Sequence, residues 1–223
     1  MPDNPDAYLV IPLFNEGAVI GDVVAAARRV FSRVVVVDDG SSDDSAARAR
    51  SAGAFVVQHP VNLGQGAALQ TGVEVALTLG ARYLVTFDAD GQHRVEDALA
   101  MVERLRAGEA DVVFGSRFLD ARTRPGLLKR LVLRLAVAYS NLSTGVRLTD
   151  THNGLRAFTR EAAQMLRIRQ NRMAHASEII EQVGASGLHW VEHPVHILYT
   201  EYSKAKGQSV LNAVNILTEL IYK

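Results

Sequence analysis

The feature that most constrains this chain is a regular alternation through its first half. Short apolar runs take turns with segments of helical period. YLVIP (8–12), RVVVVDD (33–39), AFVVQHP (54–60), RYLVTFDAD (82–90) and DVVFGSR (111–117) are too short for helices and rich in β-branched residues. Between them lie 17–31, 43–52, 66–79 and 95–107. In the first of these, Val19, Ile20, Val23, Val24, Ala27 and Val30 recur at helical spacing. Alternation at this pitch predicts a mostly parallel sheet with helices on both faces. Continuous apolar runs predict strands buried on both sides.

The second half is less regular. A strongly apolar helix with Lys129, Arg130 and Arg134 is expected over 127–142, then a polar turn, TDTHNG (149–154), and LRAF. Helices are expected from Arg160 and from about Met173, with an extended stretch at 189–199 broken by Pro194. The segment 210–222 carries Val210, Leu211, Val214, Leu217, Leu220 and Ile221 on one side, which predicts an amphipathic helix.

Polar clusters punctuate the strands. PLFNE, DDGSSD, NLGQG, DADGQH and GSR each follow the carboxyl end of an expected strand, the edge where open α/β sheets bind ligands. In DADGQH, Asp88 and Asp90 stand one residue apart at the end of an apolar run. Unpaired, two such carboxylates repel and one protonates. A hard divalent cation removes the conflict, and Mg²⁺ needs few protein ligands when substrate phosphates complete its shell. The plain alternative is a solvated turn with Asx-type caps. Asp39 offers an acceptor to a base or ribose, while Ser41 and Ser42 suit a helix cap. Phe14 can pack on a base, and Glu16 is either a site residue or a first-turn helix acid. NLGQG offers helix-start N–H groups to phosphate. Arg117 suits a phosphate or a surface ion pair.

Totals narrow the classes. The chain has 223 residues, enough for one large domain or one domain with an appendage. Its 24 basic and 24 acidic residues cancel, which argues against a nucleic-acid binder. There is no cysteine, so thiolate chemistry and disulfides are excluded. MPDNPDAYLVIP does not read as a signal peptide, and no apolar run approaches the ~20 residues of a membrane span. The expected location is cytoplasmic, with the 127–142 and 210–222 helices either packed or lying on the inner face of the membrane.

Taken in order, PLFNE, VVDDGSSD, NLGQGAALQTG, FDADGQH, GSRF, DTHNGLRAF and YSKAKG resemble the inverting family 2 glycosyltransferases of GT-A fold. The likeness is greatest to the dolichol- or polyprenyl-phosphate sugar transferase branch and covers roughly residues 8 to 207. It implies a GT-A domain over 1–207, with a nucleotide- and metal-binding half (1–117) and an acceptor half (118–207), followed by the C-terminal helix at 208–223. It implies that Pro12, Phe14, Glu16, Val37 and Asp39 border the nucleoside of a nucleotide-sugar donor. Asp88, Ala89, Asp90 and Gln92 would hold Mg²⁺ or Mn²⁺ and the donor diphosphate. Lys204, in a loop from Tyr202 to Gly207, would close over the donor.

The same resemblance implies displacement at the anomeric carbon with inversion. A lipid-phosphate acceptor is already anionic and needs cations, for which Arg117, Lys129 and Arg130 are placed. A saccharide hydroxyl needs a base, and Asp150 or Glu178 is then the candidate. The hydroxyl-acceptor branch usually shows a Glu-Asp pair and Gln-x-x-Arg-Trp, and neither is found in the acceptor half, 118–207. THNGLRAF followed by NRMAHASE departs from the best-known lipid-phosphate enzymes. His152, Asn153, His175 and Glu178 either line a distinct acceptor site or are buried and satisfied. A separate membrane-protein partner, self-association and a non-catalytic nucleotide-sugar-binding subunit stay open. A haloacid-dehalogenase-type phosphatase would carry DxDG on its first strand, and a sugar nucleotidyltransferase would carry a Gly-rich basic signature there. This chain shows neither arrangement.

Overall fold

A computed structural model describes residues 4–120, 137, 141, 146–151, 153–171 and 174–198. Among these residues seven strands form one sheet in the order β3-β2-β1-β4-β6-β5-β7. They are β1 (Ala7–Leu13), β2 (Arg33–Asp38), β3 (Phe55–Gln58), β4 (Tyr83–Thr86), β5 (Val112–Ser116), β6 (Arg156–Thr159) and β7 (Trp190–Pro194). The helices that lie wholly within the described residues are α1 (Ile20–Arg28), α2 (Ser45–Ser51), α3 (Gln65–Thr78), α4 (Val95–Arg106), α5 (Arg160–Met165) and α6 (His175–Ser186).

The alternation expected from the sequence is present, and its physical cause is visible in the core. Along β1, Leu9, Ile11 and Leu13 face one apolar layer with Ile20, Val24 and Met101. Tyr8 and Val10 face the other, with Leu69, Val73 and Phe158. Val34 and Val36 of β2 join the first layer, Val35 and Val37 the second. Both faces of these strands are apolar because both are covered, as parallel crossovers require.

One strand departs from the parallel pattern. β6 runs antiparallel between β4 and β5, pairing Leu84 with Phe158 and Val113 with Ala157. Consecutive parallel strands β4 and β5 are therefore held apart by a strand from the second half of the chain. β7 then adds parallel to β5. The carboxyl ends of β1, β2 and β4, together with the entry to β6, converge on one edge. The expected 127–142 helix falls almost wholly outside the described residues, and the 210–222 helix entirely so. Among the described residues no helix is long and apolar enough to cross a membrane.

Candidate active site

The loops at this edge are stitched to one another before any ligand is considered. Asn15 sits at φ 52, a left-handed conformation that Asn tolerates better than most residues. Its N–H donates to Ser41 Oγ (2.9 Å), and the Glu16 N–H donates to Ser45 Oγ (2.9 Å). Ser42 N–H returns a bond to Asn15 Oδ1 at 2.9 Å. So PLFNE and DDGSSD form one interlocked rim, with Phe14 45% exposed at its lip.

Asp39 fastens the next loop. Its carboxylate accepts from Leu63 N (3.0 Å), Gly64 N (2.7 Å) and His59 Nδ1 (2.7 Å), and His59 reaches on to Thr71 Oγ1. Gly64 has φ 99, and a Cβ there would stand 2.2 Å from the Asn171 carbonyl oxygen. Gly66 N–H donates to that same carbonyl at 3.1 Å. The N–H groups of Leu63, Gly64 and Gly66 are therefore committed to Asp39 and Asn171, and Gln65, at the start of the helix, lines the cavity. The glycines serve close packing of this loop against 170–171.

The acids of DADGQH occupy the centre. His93 is buried beneath them, its ring edge-on to Phe87 at 5.4 Å, and its Nε2 bonds Asp88 Oδ2 at 2.8 Å. Burial pushes the Asp88 carboxyl up. The bond from His93 and the nearby His93, His175 and Arg156 charges outweigh it, and Asp88 lies below the ordinary carboxylate value. Asp90 goes the other way. Burial and the Asp88 charge raise it, Glu16 adds to the rise, and the Gln92 N–H (3.0 Å) and His93 only partly oppose. Gly154 closes this arrangement from the far side. A Cβ on it would lie 2.4 Å and 2.5 Å from the two Asp88 oxygens. Gly154→Ala should therefore displace Asp88 from His93 and cut turnover by about 100-fold, the scale of a catalytic group moved by ~1 Å. Steady-state kinetics beside a melting curve checks this, since the expected loss exceeds any change in folded fraction.

These loops enclose an open cavity of about 640 Å³. Pro12, Phe14, Glu16, Asp39, Asp88, Ala89 and Asp90 line it, and Asn153, Arg156 and His175 line it from the β6 and α6 side. Asp88 and Asp90 are hard oxygen donors, one held ionised and one in need of a counter-charge. Among the described residues no cluster of three or more His, Cys, Asp or Glu surrounds a metal position. That donor set fits a hard divalent cation that takes two carboxylates and leaves its other positions to water and phosphate.

Other expected site residues do not reach the cavity. Val37 is wholly buried in the α3-side core, and the Gln92 side chain is buried away from the lining, acting on Asp90 through its backbone. Arg117 is bonded to Asp150 through Nε (2.6 Å) and Nη2 (3.3 Å), and its own N–H donates to the same carboxylate. Neither is a lining residue. Glu178 accepts the N–H groups of Arg169 and Gln170 and so holds the loop on which Gly64 and Gly66 rest. Lys129, Arg130, His152, Lys204 and the 202–207 loop lie outside the described residues.

Arg156 was not singled out in the sequence. It is 4% exposed, stacks over Phe114 at 6.0 Å, and lines the cavity. Its signal was available: an arginine flanked by Leu155, Ala157 and Phe158 is a charge inside an apolar run, and buried charges are rarely idle.

Comparison with known proteins follows the same lines. The Glycosyl transferase family 2 profile matches residues 8–166. An uncharacterized protein of Methanocaldococcus jannaschii is 35% identical, covering 97% of this chain and 91% of its own. The UDP-N-acetylglucosamine–dolichyl-phosphate N-acetylglucosaminyltransferase of Methanococcus voltae is 33% identical, over 74% of this chain and 67% of its own. Among solved structures, glucosyl-3-phosphoglycerate synthase from Mycobacterium tuberculosis, crystallised with Mn²⁺, uridine diphosphate and phosphoglyceric acid, superposes with a TM-score of 0.70. It is 20% identical and covers 97% of this chain and 78% of its own, a likeness of GT-A fold. With its family-specific run of motifs along the strand ends and a family match over most of its length, the chain belongs to the family 2 glycosyltransferases.

Proposed function

We propose that this glycosyltransferase moves a hexose, with inversion, from a nucleotide sugar to a polyprenyl phosphate in a metal-dependent reaction. The observation that carries the acceptor choice is the state of the two expected bases. Asp150 is gripped by Arg117 and Glu178 by backbone amides, and neither lines the cavity. A hydroxyl acceptor needs a base beside it; a phosphate monoester is anionic near neutral pH and needs none. The dolichyl-phosphate specificity of the Methanococcus relative agrees with this reading.

In this reading Pro12, Phe14 and Glu16 border the nucleoside. Asp88 and Asp90 would hold Mg²⁺ or Mn²⁺, which when bound offsets charge on the departing diphosphate. His93 and Gly154 fix Asp88, so its orientation costs nothing at the moment of reaction. An acceptor phosphate oxygen attacks the anomeric carbon as the bond to the diphosphate oxygen breaks, and the nucleoside diphosphate leaves. A lipid-borne acceptor places the enzyme at work on the inner membrane surface.

The test is incubation of the full chain with labelled UDP- and GDP-sugars, Mg²⁺ or Mn²⁺, and polyprenyl phosphate in detergent. The expected product is a lipid-linked sugar of inverted anomeric configuration, lost in EDTA. Label passing only to water or to a saccharide hydroxyl overturns the reading.

A further inference from the structure

Asn153 poses a question the donor site does not answer. It is 2% exposed and lines the cavity, yet its Nδ2 has no hydrogen-bond partner. The amide orientation is fixed, because Oδ1 accepts the Leu155 N–H at 3.0 Å. Turning the amide over would set donor against donor. A buried N–H₂ left unpaired costs about 1–3 kcal/mol, so it is retained where something accepts from it.

Two further positive features share that end of the cavity. Arg156 gives one side-chain hydrogen bond to protein among the described residues, Nη2 to Thr151 O at 3.3 Å, while the guanidinium carries five N–H donors. Burial lowers its pKa to about 10, with Asp88 and Asp150 opposing, so it remains charged at neutral pH. The N-terminal turn of α6, at His175 and Ala176, also lines the cavity. The N-terminal end of a helix carries the positive end of its dipole and favours anions.

The sheet order gives these groups their place. Pro12, Phe14 and Glu16 follow β1, the acids follow β4, and Asn153 and Arg156 belong to β6 and its approach, on the opposite side of β4. We propose that Asn153, Arg156 and the first turn of α6 form a subsite for the phosphate monoester of the acceptor, across the acid pair from the nucleoside. The assignment of the bound group to the acceptor rests on the function proposed above; the anion chemistry of the subsite does not.

The probe is geranyl phosphate, titrated calorimetrically into the full chain with Mg²⁺ and uridine diphosphate present. Asn153→Asp keeps the Leu155 bond and the side-chain shape while replacing the donor by an acceptor. It should weaken geranyl phosphate binding at least tenfold and nucleoside diphosphate binding less than twofold. Asn153→Ser is the second variant should the buried carboxylate impair folding, with a loss of about fivefold expected. Unchanged geranyl phosphate affinity in the folded variants overturns the subsite. So does a loss confined to uridine diphosphate, which would put the donor's phosphates there, and so does a wild-type chain that binds neither geranyl phosphate nor inorganic phosphate. If phosphate binds through Asn153 but no sugar reaches polyprenyl phosphate, the subsite stands and the proposed acceptor fails.

Discussion

Asp90→Asn is expected to destroy function and to stabilise the metal-free protein. The carboxyl of Asp90 is raised by burial and by the Asp88 charge, so its ionised form is a cost to the fold at neutral pH. Asparagine keeps an acceptor for the Gln92 N–H and removes that charge. In EDTA the melting temperature should rise, by about 2–4 °C for each kcal/mol relieved in a domain of this size. The sign with pH follows from the direction of the shift. A carboxyl that holds its proton more tightly when folded favours the wild type as pH falls. The gap between variant and wild type should be full above the folded pKa and close once pH drops below the unfolded carboxylate value. In the presence of Mg²⁺ or Mn²⁺ the outcome inverts. Wild type should gain melting temperature with nucleotide sugar, the variant should not, and turnover should fall by about 1000-fold or more. A variant that still shows the metal-dependent shift removes Asp90 from the metal set.

The second large effect is expected at Arg117. Arg117→Ala strips Asp150, whose side chain is 1% exposed, of its bidentate partner and leaves it only its weaker remaining contacts, the charge of Arg156 among them. Breaking such a pair from one side costs about 3–5 kcal/mol, and Arg117 itself is partly exposed, so the lower end applies. A fall in melting temperature of about 6–12 °C follows. Replacing both partners, Arg117→Met with Asp150→Leu, should recover most of it, and a double-mutant cycle measures the coupling. The same series separates structure from chemistry. A general base replaced by its amide loses about 10²–10⁴ in rate at unchanged stability. Asp150→Asn should instead lose stability, and retain activity within tenfold when assayed well below its melting temperature.

What was legible in the sequence was whatever local period and strand-end chemistry encode. The first five strands and four helices follow from alternating apolar runs, and the acid pair at Asp88 and Asp90 follows from its place at a strand end. β6 was not legible as a strand, since RAFT is four residues long and its first is a buried arginine that breaks the apolar pattern. The expected roles of Asp150 and Glu178 as bases rested on residue type and, for Asp150, on its place in the acceptor loop that the resemblance implies. Whether a carboxylate is already engaged depends on partners such as Arg117, which meets Asp150 only when β5 and the 149–151 turn are folded together. Asp39 is a similar case: its acidity was visible, but its grip on the NLG backbone was not.

The insertion of β6 between β4 and β5 also bears on how the chain is made. During synthesis β2, β3 and β4 emerge in an order that lets each find a parallel neighbour already present. β5 emerges next and finds none, because its partners β6 and β7 are both translated later. Until then the nascent chain carries unpaired strand edges at β4 and β5, which invite association with other chains. The arginine that lines the cavity arrives on the strand that closes this gap. Closure of the gap in the sheet and arrival of Arg156 at the cavity are thus a single late event in biogenesis, and a ribosome-stalled chain ending before β6 should be protease-sensitive and chaperone-bound.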